Sequence, residues 1–409
     1  MNKNNSATLE AGAALSRSRR LWIAMVLGSL AAFGPLSLDM YLPALPALAG
    51  DLHASTSLAQ MSLTACMLGL SFGQLAAGSI SDVRGRRLPL LVGLIIYAIA
   101  SILCNFSTSI WMFLGLRFIQ GLAGSAGIVI SRAIVRDLYT GVELTKFFAL
   151  LMLVNGAAPI LAPIVGGQIL QVTSWHGVFV VLSLIGVIML IVVALGLRET
   201  LPPERRLKGG LRNTLRTFGG LLTDRMFMGY ALTQGLVSGA MFAYISGSPF
   251  VLQDIFGISP QMFSVCFAVN GLGIIIASQT AGRLAGKVKL RSILACGLVT
   301  AMFGGFLLLT ATVAGAGLYL ILPAFFFIVS SVGLVSTATS SLALQNQGKS
   351  AGSAAALLGL LSFIVGSFVA PLVGIGGSQT AVPLGIIIAA MEMGAIACFI
   401  LMTRTRNPK

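Results

Sequence analysis

Apolar runs of about 20 residues recur from one end of this chain to the other, and no other feature limits its fold so tightly. A helix rises ~1.5 Å per residue, so each run is long enough to cross the ~30 Å hydrocarbon layer of a bilayer. Run lengths, with the polar or glycine-rich breaks between them, predict twelve spans at 21–48, 58–80, 88–106, 110–131, 146–170, 176–197, 226–247, 260–283, 291–313, 317–340, 351–373 and 381–402. The composition agrees. Only 9% of the 409 residues are charged and 56% are hydrophobic, too little polar surface to coat soluble domains of that length. The expectation is an all-α, polytopic membrane protein.

The basic residues test the count independently, because Lys and Arg of short loops stay on the cytoplasmic side. All 26 except Arg117 fall on alternate connections, beginning with the amino terminus: Arg17, Arg19 and Arg20 before the first span, Arg84, Arg86 and Arg87 after the second, and so on to Arg404. The other connections offer only Asp51, His53, His176 and Asp254. Both termini are therefore expected in the cytoplasm. The net charge of +15 is this loop bias, with added attraction to membrane lipids, and does not point to nucleic acid. Cys66, Cys104, Cys266, Cys296 and Cys398 lie in or beside spans with no metal-ligand spacing, and are expected to be small buried apolar residues. The first run is too long for a signal-peptide core, so no cleavage is expected.

The longest internal polar stretch, "RETLPPERRLKGGLRNTLR" (198–216), falls at the midpoint and splits the spans six and six. The expected domains are a tail at 1–20, a six-helix bundle at 21–197, a cytoplasmic linker at 198–225, a second bundle at 226–402 and a tail at 403–409. Pro202 and Pro203 are expected to stop the sixth helix, and the basic residues after them could form an interfacial helix. Sliding one half over the other by 204 residues sets "GSISDVRGRR" (78–87) against "GRLAGKVKLR" (282–291), with Asp82 facing Gly286. Paired six-helix bundles suit a transporter that rocks around a site near the membrane midplane.

Three segments carry a family resemblance. "GSISDVRGRRLP" (78–89) resembles the loop motif between helices two and three of the major facilitator superfamily, with Gly78, Asp82, Gly85, Arg86 and Arg87 matched. Asp82 would sit at the negative end of a helix dipole, unfavourable by up to ~1 kcal/mol unless Arg86 or Arg87 answers it. The resemblance implies a latch between the halves. "FLGLRFIQGLAG" (113–124) resembles the fourth-helix motif, with Arg117, Gln120 and Gly121 matched; an arginine in hydrocarbon must face protein or water. "APILAPIVGG" (158–167) resembles the fifth-helix motif of the antiporter branch through Pro163, Gly166 and Gly167, with Ala158 and Ala162 replacing leading glycines and Pro159 adding a second bend.

"LDMYLPALP" (38–46) and "SRAIVRDL" (131–138) resemble drug:proton antiporters of the Bcr/CflA (bicyclomycin-resistance) type. The resemblance implies twelve transmembrane helices in two six-helix pseudo-repeats and export of small amphipathic drugs in exchange for protons. Asp39, about 26 Å along the first helix from Trp22, would be the proton carrier and compete with substrate. Arg117 would tune it, and Pro35, Pro43 and Pro46 would open the helix beside it. Tyr41, Asn155 and Gln234 are candidate cavity residues, with packing or interhelical hydrogen bonding as their alternative role. Glu392, in the last span, matches no motif and is either a second interior site or a structural acid.

"LQNQGKS" ends like a phosphate loop at Gly348–Ser350, but Ala343 stands where the earlier glycine is required. No ATP site is expected, so the energy source is an ion gradient and no cofactor or metal is called for. The expected species is a monomeric inner-membrane transporter, not an enzyme. A proton-coupled nutrient symporter and a non-transporting receptor or scaffold remain as alternatives.

Overall fold

The computed structural model describes residues 17–139, 141–206, 218–345, 347 and 351–403. Residues 1–16 of the expected tail, the linker core 207–217, Gly348–Ser350 and 404–409 lie outside the described residues, as do the side chains of Lys146 and Asn155. The first span is built in pieces: α1 (Arg17–Ala31), α2 (Phe33–Asp39), a 3-10 turn (Leu42–Ala44) and α3 (Leu45–Asp51). Proline has no N–H to give a preceding carbonyl, and Pro35, Pro43 and Pro46 each fall at the beginning of a new piece.

The remaining spans are α4 (Thr56–Arg84), α5 (Arg87–Asn105), α6 (Ile110–Leu138), α7 (Gly141–Ile169) and α8 (Trp175–Gly196), then α9 (Arg225–Phe250), α10 (Pro260–Leu284), α11 (Leu290–Val313), α12 (Leu318–Leu344), α13 (Ala351–Val369) and α14 (Val382–Met402). Among the described residues, eleven helical spans are long and apolar enough to cross a membrane, and α7, in fifth place, contributes the shorter apolar stretch Gly156–Ile169. The all-helical reading holds. Large apolar side chains such as Trp111, Ile188, Phe303 and Phe368 stand exposed on these helices, which suits lipid as the solvent.

The sixth span corrects one expectation. Helix α8 stops at Gly196, well before Pro202 and Pro203. The chain is extended at Leu197, and Glu199 then turns back onto the loop after α4. The repeat register is corrected too. In the two matched loops the glycines in the left-handed region are Gly85, with φ 92°, and Gly286, with φ 90°, so they are the equivalent turn positions and the 204-residue offset is three too long there. In the structural register Arg283 takes the place of Asp82, which confines the acid to the first loop.

Two compact units emerge: of the described residues, 17–41, 65–139, 141–165 and 169–206 belong to one, and 42–64, 166–168, 218–345, 347 and 351–403 to the other. The first has a continuous apolar core that includes Leu27, Leu30, Phe33, Leu94, Ile130, Ile134 and Val193. Within it α4 and α6 approach so closely that a Cβ on Gly121 would lie 2.2 Å from the carbonyl oxygen of Cys66. That is why a glycine follows Gln120; small residues let membrane helices pack backbone to backbone. Cys66 and Cys104 are buried as expected, whereas Cys266 and Cys398 are half-buried and Cys296 is exposed.

Candidate functional site

Arg117, on α6, is fully buried. Its Nη2 donates to the Ser37 carbonyl at 2.8 Å and its Nη1 to Gln120 Oε1. The guanidinium carbon sits 4.3 Å from the centre of the Tyr41 ring and 5.6 Å from that of Phe179. The broken first span creates this arrangement. Ser37 lies in the last turn of α2, where carbonyls outrun the helix's own donors, so an acceptor is free to face the arginine.

The partners are themselves held. Gln120 Nε2 donates to Ser101 Oγ at 2.7 Å, and Ser101 donates to the Tyr97 carbonyl at 2.7 Å. Ser37 Oγ donates to the Phe33 carbonyl at 2.6 Å and shares a hydrogen bond of 2.9 Å with the Tyr97 hydroxyl. Phe113, Phe179 and Trp175 pack edge to face beside the arginine, with Tyr41 5.8 Å from Phe179. The end of α2, Gln120 of α6 and Phe179 of α8 thus meet one cation with neutral groups, and Tyr97 and Ser101 of α5 hold Ser37 and Gln120 in place. Ser37, Tyr97, Ser101 and Phe179 were not singled out from sequence. Tyr97 and Ser101, four apart and so on one helix face, were the available signal.

Asp39 closes α2, two residues beyond Ser37, and is buried at 6% exposure. It makes no hydrogen bond or ion pair among the described residues; the ion pairs there are Arg20–Glu143, Arg86–Asp82 and Arg86–Asp137. Both terminal nitrogens of the arginine are therefore met without the carboxylate, while its Nε is buried with no hydrogen-bond partner among the described residues, and the carboxylate is buried without a cation among them. Gln234, in the second unit, accepts from Ser340 at 3.3 Å. Asn155 is on α7, and its side chain lies outside the described residues.

The loop after α4 is a second polar centre. Arg86 bonds Asp82 at 2.5 Å, as expected, and also Asp137 at 3.0 Å, so the segments 78–89 and 131–138 meet through one guanidinium. Burial works against the Arg86 charge, yet its two carboxylate partners hold its pKa above the usual arginine value. Arg87 instead donates to the Ala194 carbonyl at 2.6 Å. Gly78 faces Val129 from within α4, and a Cβ on Gly85 would meet Glu199 Oε2 at 2.6 Å.

Glu199, missed from sequence, accepts from the backbone N–H groups of Arg86 (2.8 Å), Arg87 (3.1 Å), Thr200 (3.0 Å) and Leu201 (3.0 Å). Burial pushes its carboxyl up, but these four donors outweigh that and hold it below the usual carboxylate range. A depressed pKa stabilises the fold above the unfolded value, near 4.5, and the contribution disappears as pH falls through the folded one. Thermal unfolding in detergent, wild type against Glu199→Gln, is expected to show a higher melting temperature for wild type at pH 7 and a gap that closes below about pH 4. A gap independent of pH would contradict this. Because Glu199 is exposed, solvent screening keeps the difference to about 1 kcal/mol or less.

The antiporter-like segment of α7 contains Pro159 and Pro163 inside a continuous helix, and Gly166 and Gly167 are buried. Gly167 is a close-approach point: a Cβ there would lie 2.6 Å from Ser264 Oγ, and Gln261 Nε2 donates to its carbonyl at 2.9 Å. The same second unit contains three similar bonds, Gln60 to the Ser246 carbonyl (3.1 Å), Thr64 to the Ser367 carbonyl (2.8 Å) and Gln253 to the Pro43 carbonyl (3.1 Å). Neutral side chains on carbonyls tie residues 42–64 and Gly167 to α9, α10 and α13 and to residues 251–255.

Comparison with known proteins gives a family model, described as Major Facilitator Superfamily, matching residues 15–371. An uncharacterized MFS-type transporter, YdgK of Bacillus subtilis (strain 168), is 48% identical over 93% of this chain and 95% of its own. A bicyclomycin resistance protein homolog of Haemophilus influenzae is 30% identical over 94% of this chain and 96% of its own. The crystal structure of the nucleoside transporter NupG matches with a TM-score of 0.77 at 12% identity, covering 94% of this chain and all of that one. A D-xylose-proton symporter matches at 0.73 and 15% identity over 95% and 99%. The structural matches show the fold alone. With the helices, the Arg86 loop and whole-length relatives in agreement, the chain belongs to the major facilitator superfamily, a family of transporters and not of enzymes, and resembles its Bcr/CflA-type members.

Proposed function

We propose that the protein is a secondary active exporter, exchanging small amphipathic compounds for protons across a bacterial inner membrane, as a monomer with both termini in the cytoplasm and no cofactor. The observation that carries this reading is the buried Asp39 carboxyl, without a cationic partner among the described residues, two residues beyond the Ser37 whose carbonyl accepts from the buried Arg117 guanidinium. An isolated carboxylate is costly to bury, so a proton is what neutralises Asp39 when no cation does. On deprotonation the nearby guanidinium offers the counter-charge, and polar cargo groups compete for the same position. Tyr41, Asn155 and Gln234 contribute to cargo binding in this scheme, and the Asp82–Arg86 loop latches one facing state. The names of two relatives, the bicyclomycin resistance protein homolog and multidrug resistance protein MdtL of Salmonella heidelberg (29% identical over 60% of this chain), support drugs as the cargo class.

Purified protein in phospholipid vesicles with an imposed pH gradient tests the proposal. Chloramphenicol, a neutral amphipathic probe, is expected to move against the proton flow. Movement in the same direction as protons would make the protein a symporter, and absence of flux in either gradient would make it no carrier of this compound class.

A further inference from the structure

Helix α14 carries a buried acid that the exchange just described does not use. Glu392 stands midway along the helix at 1% exposure, and both carboxyl oxygens are out of reach of water and without a hydrogen-bond partner among the described residues. Its stem lies against α11, where a Cβ on Gly305 would be 3.5 Å from Glu392 Cγ. Helix α9 covers another side through Thr233, whose hydroxyl reaches the Ala395 carbonyl at 3.5 Å, and through Leu236 against Gly394. An intramembrane acid with no partner is expensive and therefore a candidate for function.

Among the described residues, no charged group faces it from the elements packed most closely on α14, namely α9, α11 and the 3-10 segment Ala370–Gly376. Arg225 at the start of α9 donates to the Leu401 carbonyl, and Arg291 at the start of α11 reaches Thr403 and the Phe399 ring, both at the far end of α14. Tyr244 is bonded to Asn270, Tyr230 is on the turn of α9 whose Gly229 packs against Met402, Cys296 is exposed, and Cys398 is almost two turns beyond Glu392 on the same helix. The 370–376 segment contributes no titratable side chain.

A ligand larger than a proton does not fit, since water itself cannot reach the oxygens. We infer that Glu392 is a second proton-binding site, sealed between α9, α11 and α14 in this conformation and able to exchange its proton only when α14 parts from α11. The reaction is addition of H⁺ to one carboxylate oxygen and its later loss to water, with no other bond changed. Its contribution to transport rests on the proton exchange proposed above: each cargo molecule would then be coupled to two protons, one at Asp39 and one at Glu392.

Two measurements test this. In phospholipid nanodiscs, infrared spectra of wild type are expected to contain a carboxylic-acid C=O band that is absent from Glu392→Gln, displaced in Glu392→Asp, and lost reversibly as pH is raised. Absence of that band, or its persistence to the highest pH at which the protein stays folded, overturns the inference. In vesicles with the membrane voltage clamped, the equilibrium chloramphenicol ratio is expected to change about 100-fold per unit of pH difference in wild type and about tenfold in Glu392→Gln. Equal slopes for the two proteins overturn the inference while leaving exchange intact. A wild-type slope of zero removes the exchange reading instead, and the infrared titration then decides the proton site alone. Glu392→Asp keeps an acid in place and serves if the glutamine variant does not fold.

Discussion

Asp39→Asn is expected to abolish uphill export while leaving the protein folded and present in the membrane. Asparagine keeps the shape and the hydrogen-bonding capacity of the side chain and removes only its ability to exchange a proton. Each proton exchanged per cargo molecule sustains about a tenfold concentration ratio for every unit of pH difference. In the variant the chloramphenicol ratio should fall to about 1 at any pH difference, because Asp39 is where cargo and proton exclude one another; a proton at Glu392 then moves without cargo. Passive exchange of labelled for unlabelled chloramphenicol should survive, since that step needs the cavity and not the gradient. Resistance of a pump-deleted host carrying the variant would fall to that of the empty host. Retained gradient-driven accumulation would remove Asp39 from the mechanism.

The prediction was accessible from sequence because an aspartate amid prolines in an apolar run is visible without coordinates. Pro35, Pro43 and Pro46 announced the fragmentation of the first span, and the alternation of basic loops supported the span count. What surrounds Arg117 was not visible. Beyond Gln120, its partners are a main-chain carbonyl freed where α2 ends and a tyrosine ring, with Ser37 and Gln120 held in turn by hydroxyls on α5, and none of these is unusual in its own segment. Glu199 escaped for a related reason. The expected linker at 198–225 took in the glutamate as one of its polar residues, whereas an extended turn at Leu197 brings it onto the N–H groups of Arg86 and Arg87. Matching residue types placed Asp82 opposite Gly286; a backbone conformation that favours glycine placed Gly85 there. Local chemistry was legible, and the pairings that depend on where a helix stops were not.

Arg117→Lys is expected to impair the protein almost as severely as loss of Asp39, by a different route. The guanidinium does three things at once: it donates to the Ser37 carbonyl, donates to Gln120, and lies over the Tyr41 ring. A planar fork can do this because its donors diverge in one plane while its face remains free for an aromatic ring. An ammonium is a compact, strongly hydrated charge that cannot reproduce that spread in a site closed to water. One buried acceptor left unmatched costs about 1–3 kcal/mol, and a desolvated cation–π contact is worth about 2 kcal/mol, so the variant should unfold several degrees lower in detergent. Export should slow by about 10- to 100-fold, because each 1.4 kcal/mol misplaced at the site is a factor of ten. The positive charge survives the substitution, so coupling should persist: the chloramphenicol ratio per unit of pH difference should match wild type at long times while the initial rate does not. That split separates Arg117 from Asp39, whose loss removes the ratio itself. A lysine variant with wild-type rate and melting temperature would mean that only charge is needed, and that the planar spread of the guanidinium over the Ser37 carbonyl, Gln120 and the Tyr41 ring has no part in transport.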